Sequence, residues 1–91
     1  MNDPQPVLYY AVYLFPTALE TLGDALKPYL RDGPHGRHLM CAEIDAGGQL
    51  FEVMIPSHDE QGRPIDIEMM FPTVMVRLVI SMRPEADVGF T

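Results

Sequence analysis

The run Val7-Leu8-Tyr9-Tyr10-Ala11-Val12-Tyr13-Leu14-Phe15 is apolar on both of its alternating sides and contains no breaker. β-Branched and aromatic residues dominate it, so it predicts a strand. A half-exposed strand alternates apolar with polar residues, whereas one that is apolar on both sides needs cover on both sides. That need for two layers of cover constrains the architecture more than any other feature. The run is nine residues long, against the roughly 20 required to span a bilayer. No basic segment precedes it and no small-residue cleavage pattern follows, so no secretory leader is expected.

One helix is predicted after it. Thr17-Ala18-Leu19-Glu20 has the form of a capping box. Leu19, Leu22, Leu26 and Tyr29 or Leu30 follow at helical spacing. Pro28 should end or bend this helix, and Gly33-Pro34 close it. His38 to Asp45 and Gln49 to Ile55 both alternate, with Ala46-Gly47-Gly48 between them, which predicts a hairpin. The segment 56–64 (PSHDEQGRP) carries turn formers and charge and reads as a surface loop. Ile65 to Phe71 and Val74 to Met82 read as two more strands, the latter with Val74, Val76, Leu78, Ile80 and Met82 inward. Pro72-Thr73 suits a bulge or bend better than a tight reversal. Segments 1–6 and 83–91 read as loose tails. The 91 residues therefore predict a single α+β domain. Its expected form is a mainly antiparallel sheet of about five strands (β-α-β-β-β-β) with one helix on one face. This is a ferredoxin-like or split-βαβ variant without support for a second helix.

Such a sheet is over about 20 Å wide and a helix about 10–12 Å across. One helix shelters about half of one face. The positions expected to point away from it include Leu39, Cys41, Leu50, Met54, Met70, Met75 and Val79. Glu43, Asp45, Glu52, Asp66, Glu68 and Arg77 are interleaved with them. Each buried Leu or Met is worth about 1.5–3 kcal/mol, so an apolar set of this size calls for cover. The expected cover is a second copy, packed sheet to sheet or joined through shared edge strands, with another protein, an apolar ligand or the C-terminal tail as alternatives. Six methionines besides Met1 suit a surface that adapts to a partner.

Charge narrows the partners. Thirteen acidic against six basic residues give a formal net charge of −7, a field that repels phosphate backbones and anionic membranes. Neither nucleic acid nor membrane is an expected partner. A lone cysteine, Cys41, fits a reducing cytoplasm. No catalytic motif is present. The spacing H-x-x-H-x-x-C at His35, His38 and Cys41 has metal-ligand chemistry but not the spacing of a known finger, and His38 and Cys41 would lie on opposite sides of a strand. No metal, cofactor or catalytic residue is assigned. The expected function is a small acidic binding or regulatory module acting as a homodimer through its apolar sheet face. The alternative is a small-molecule binder or small enzyme with a pocket near segments 34–41 and 56–64. Its anion- or ligand-holding groups would be His35, Arg37, His38, His58 and Arg63.

Overall fold

A computed structural model describes residues 8–83. The expected tails, 1–6 and 83–91, lie outside them except for Arg83. Seven strands and one α-helix occur among the described residues. The strands are β1 (Tyr9–Leu14), β2 (Leu30–Arg31), β3 (His38–Cys41), β4 (Glu43–Asp45), β5 (Leu50–His58), β6 (Pro64–Pro72) and β7 (Val76–Met82), and the helix is α1 (Pro16–Leu22). The α+β class with antiparallel pairing stands, but the single five-stranded, ferredoxin-like sheet is corrected. There are two sheets, one of four strands in the order β2-β3-β1-β7 and one of three in the order β4-β5-β6.

The helix is shorter than its apolar stripe. Pro16 occupies the first turn, where a missing N–H is harmless. The N-cap is Phe15, with no side-chain cap, so Thr17 and Glu20 do not form the expected box. Thr21 instead donates its hydroxyl to the Thr17 carbonyl at 2.8 Å. Gly23, at φ 55°, ends the helix because that conformation disfavours any residue with a Cβ. Two 3₁₀ turns, 23–25 and 27–29, carry the chain onward through Pro28 to β2. Leu26 is still buried from the turn between them, and Ala18 from the helix.

Two crossings join the sheets. At Ala42, between β3 and β4, the chain leaves the four-stranded sheet for the three-stranded one, and the Ala42 amide donates to the Met54 carbonyl at 2.8 Å. At Thr73–Met75 a 3₁₀ turn returns it from β6 to β7. This turn is held by Thr73, whose amide donates to the Gln49 carbonyl and whose hydroxyl donates to the Gly48 carbonyl, both at 2.8 Å. The bend expected at Pro72-Thr73 is therefore a change of sheet.

Both sheets and the helix feed one core. Val12, Leu14, Leu39 and Cys41 come from the larger sheet, Phe51, Val53, Ile55 and Phe71 from the smaller, and Ala18 and Leu26 from the helical segment. Phe51 and Phe71 are paired across β5 and β6 and stack at 5.8 Å between centroids. The second cover that β1 needs on its inner side is thus the other sheet. Among the described residues no helix is long and apolar enough to cross a membrane.

Leu39 is fully buried and Val74 is 82% exposed. Leu39→Ala is expected to lower stability by about 2–5 kcal/mol through lost burial and a residual cavity. Val74→Ala should change it by less than about 0.5 kcal/mol. Urea denaturation of the two variants checks the contrast.

Candidate association surface

In an antiparallel ladder, directly opposed residues share a face. Val12 opposes both Leu39 and Val79, and Tyr10 opposes Cys41 and Ser81, so these residues line the inner side of the larger sheet. Ala11 opposes Met40 and Ile80, Tyr9 opposes Met82, and Tyr13 opposes Leu78. These seven, with His38 and the Arg31 opposite it, form its outer side, which is apolar apart from those two residues and the tyrosine hydroxyls.

Cover over this outer side is uneven. At one end Tyr13 is only 3% exposed. Its ring lies 5.1 Å from His38 and 6.3 Å from His35 between centroids, and the Arg77 guanidinium sits 5.7 Å above it. His35 from the loop after β2, His38 of β3 and Arg77 of β7 thus close the Tyr13 end with polar side chains packed on the ring. At the other end Tyr9, Met40, Met82 and Arg83 line an open hollow of about 350 Å³. Met82 is exposed there, and Leu78, across from Tyr13, is exposed as well.

Several expected outward residues belong elsewhere. Leu39 and Cys41 are completely buried in the core, and Met75 and Val79 pack against it. Met40, Leu78, Ile80 and Met82, read as inward, instead face out. Two local shifts cause the reversal. In β7, Tyr13 opposes Leu78 while Leu14 opposes Val76, so Arg77 is an inserted residue that inverts the alternation. Along 38–45 the inward side changes from odd positions (Leu39, Cys41) to even (Ile44) at the Ala42 crossing. Reading across either point as one continuous strand reverses every side chain beyond it.

The remaining three, Leu50, Met54 and Met70, do face outward, on the smaller sheet. There Glu43 opposes Met54, Met54 opposes Glu68, Asp45 opposes Glu52, and Glu52 opposes Met70. Two parallel rows of two carboxylates and a methionine result. Asp45 and Glu52 place like charges directly opposite each other, an arrangement that destabilises a sheet. The two outer faces differ in chemistry, one acidic and the other apolar with a cationic end.

The expected anion-holding group is divided. His35 and His38 flank Tyr13, with His38 buried and donating from Nδ1 to the Gly36 carbonyl at 3.2 Å. Arg37 faces Asp32 at 3.5 Å. His58 ends β5, and Arg63 lies in the 59–63 turn that follows, where it pairs with Asp59 at 2.8 Å. No hydrogen bond or ion pair joins these two groups among the described residues. His38 points to the outer side of β3 and Cys41 to the inner side, so the H-x-x-H-x-x-C residues do not converge. Among the described residues no three His, Cys, Asp or Glu side chains gather in metal-binding geometry.

Among the described residues two groups carry perturbed acidities. Burial pushes the Cys41 thiol up to about 12, since a thiolate there would lose its hydration. Folding thus holds the Cys41 proton that an unfolded thiol releases above its value of 9.0. Stability is expected to fall as pH rises above that value. Native Cys41 should resist alkylation at neutral pH and react fully in urea, as read by mass spectrometry.

The Asp59 carboxyl is held below its ordinary value of 3.8, chiefly by the Arg63 backbone amide, then by the Gln61 amide and the Arg63 side chain, partly offset by desolvation. This carboxylate organises the 59–63 turn, accepting from the Gln61 and Arg63 amides and from Arg63 Nε at 2.8–2.9 Å. A lowered folded-state pKa means the turn is stabilised above the unfolded value, 3.8, and loosens as pH falls through the folded one. The Gln61 and Arg63 amides should exchange faster in Asp59→Ala and, in the native chain, shift only at pH below that value in an NMR titration.

Compared with known protein families, with curated proteins and with solved structures, the chain matches none.

Proposed function

We propose that this chain is a small acidic binding module of the cytoplasm that acts as a homodimer, and that the outer side of the larger sheet is its association surface. The observation that carries this reading is the open apolar end of that side, where Tyr9, Met40 and Met82 surround a hollow, together with the exposure of Leu78 farther along β7, opposite Tyr13. An apolar sheet face without a covering layer gains free energy in proportion to the area it removes from water. Charge favours the same side. At a net charge of −7 two copies repel each other overall, and the outer side of the smaller sheet, with Glu43, Asp45, Glu52 and Glu68, would add to that repulsion. The larger sheet presents its apolar residues with Arg77 and Arg83 instead, so copies can meet there with the least electrostatic opposition.

Light scattering over a concentration series tests the reading. The native chain is expected to rise from 10.2 kDa to twice that mass. Leu78→Lys, at an exposed position, should weaken association by at least about tenfold through a charge placed in the apolar contact, with the monomer's thermal stability nearly unchanged. A native chain that keeps its monomer mass at millimolar concentration overturns the proposal.

A further inference from the structure

We infer that two copies join through β7, edge to edge and antiparallel, making one eight-stranded sheet from two four-stranded ones. This rests on the homodimer reading above and sets the contact at the β7 rim of the outer side, through Leu78 and Ile80, instead of across the hollow at Tyr9 and Met40.

A sheet edge offers a row of unpaired backbone donors and acceptors, and proteins blunt such edges with shortness, charge or proline. The four edges of the two sheets are β2, β7, β4 and β6. β2 has two residues, and β4 has three, two of them Glu43 and Asp45. β6 begins and ends in proline and carries Asp66 and Glu68. Each of these three is blunted in a recognised way. β7 is blunted only at its start, where the inserted Arg77 makes a bulge, and its residues 78–82, LVISM, contain neither charge nor proline. Among the described residues its second side has no backbone partner.

Self-pairing also satisfies the charge constraint. With the two-fold axis at Val79, the midpoint of β7, Leu78 of each copy lies opposite Ile80 of the other, an apolar pair on the outer side. Arg77 then lies opposite Ser81 of the other copy. The two Arg77 residues are four positions apart along the ladder, about 13 Å at strand spacing, beyond the roughly 8 Å screening length at physiological salt. The carboxylates of the smaller sheet stay outside the junction. Because an antiparallel edge pairing keeps like faces on the same side, the two apolar outer sides merge into one surface.

Amide hydrogen exchange read by NMR, with mass measured in parallel, tests the geometry. In a free edge strand the amides directed away from β1 exchange quickly, while those directed toward it are protected. At concentrations where the mass has doubled, the fast set within residues 77–82 is expected to slow at least about tenfold relative to dilute samples. Ser81→Lys, at an exposed position on the edge, should remove both the doubled mass and the added protection while leaving the far-ultraviolet circular dichroism unchanged. A doubled mass with the fast set still fast overturns edge pairing and leaves association through the sheet face standing. A Ser81→Lys chain that dimerises like the native one overturns edge pairing in the same way. A mass that never doubles overturns both.

Discussion

The architecture depends on the chain changing sheets at Ala42 and again at Thr73–Met75. At the first crossing the Ala42 amide remains bonded to the Met54 carbonyl, so β3 can end and β4 begin without leaving a buried donor unpaired. At the second, Thr73 is tied to Gln49 and Gly48, and Phe15 donates to the Met75 carbonyl at 3.0 Å. These bonds let two small sheets face each other across one core. The short helix adds Ala18, and the turn after it adds Leu26, to a core that the sheets mainly build.

Folding into two sheets doubles the number of outer faces, and the sequence treats the two differently. The smaller sheet is faced with carboxylates, including the opposed Asp45 and Glu52. The larger carries tyrosine, methionine, leucine and isoleucine, half closed by the histidines and Arg77 around Tyr13. Like-charge opposition lowers the stability of the acidic sheet but also keeps that side from pairing with copies of itself. In the proposed homodimer, association falls to the other outer side, which carries few carboxylates.

The chemistry of individual side chains follows from this division. Cys41 is a small core residue whose proton is retained by burial, which makes it a packing element instead of a nucleophile. Asp59 and Arg63 are engaged with each other in setting a turn. His38 lies on the outer side of β3 against Tyr13. The titratable groups thus serve local structure at separate places.

Much of the layout was legible along the chain. The apolar run marks an interior strand, and β1 lies between β3 and β7 in its sheet. Pro16 fixes the helix start, and the alternation in Leu50–Ile55 and Ile65–Phe71 gives the correct inward residues for β5 and β6. Those features are local, set by period-two patterning and by the fixed φ of proline. The helix length, the second sheet and the facing of Leu39, Cys41, Val79, Met40 and Ile80 were decided by tertiary structure. Each follows from a break in periodicity, at Gly23, at Ala42 or at the inserted Arg77. A residue pattern does not record how many residues oppose one another across a ladder, because that number is set by the partner strand.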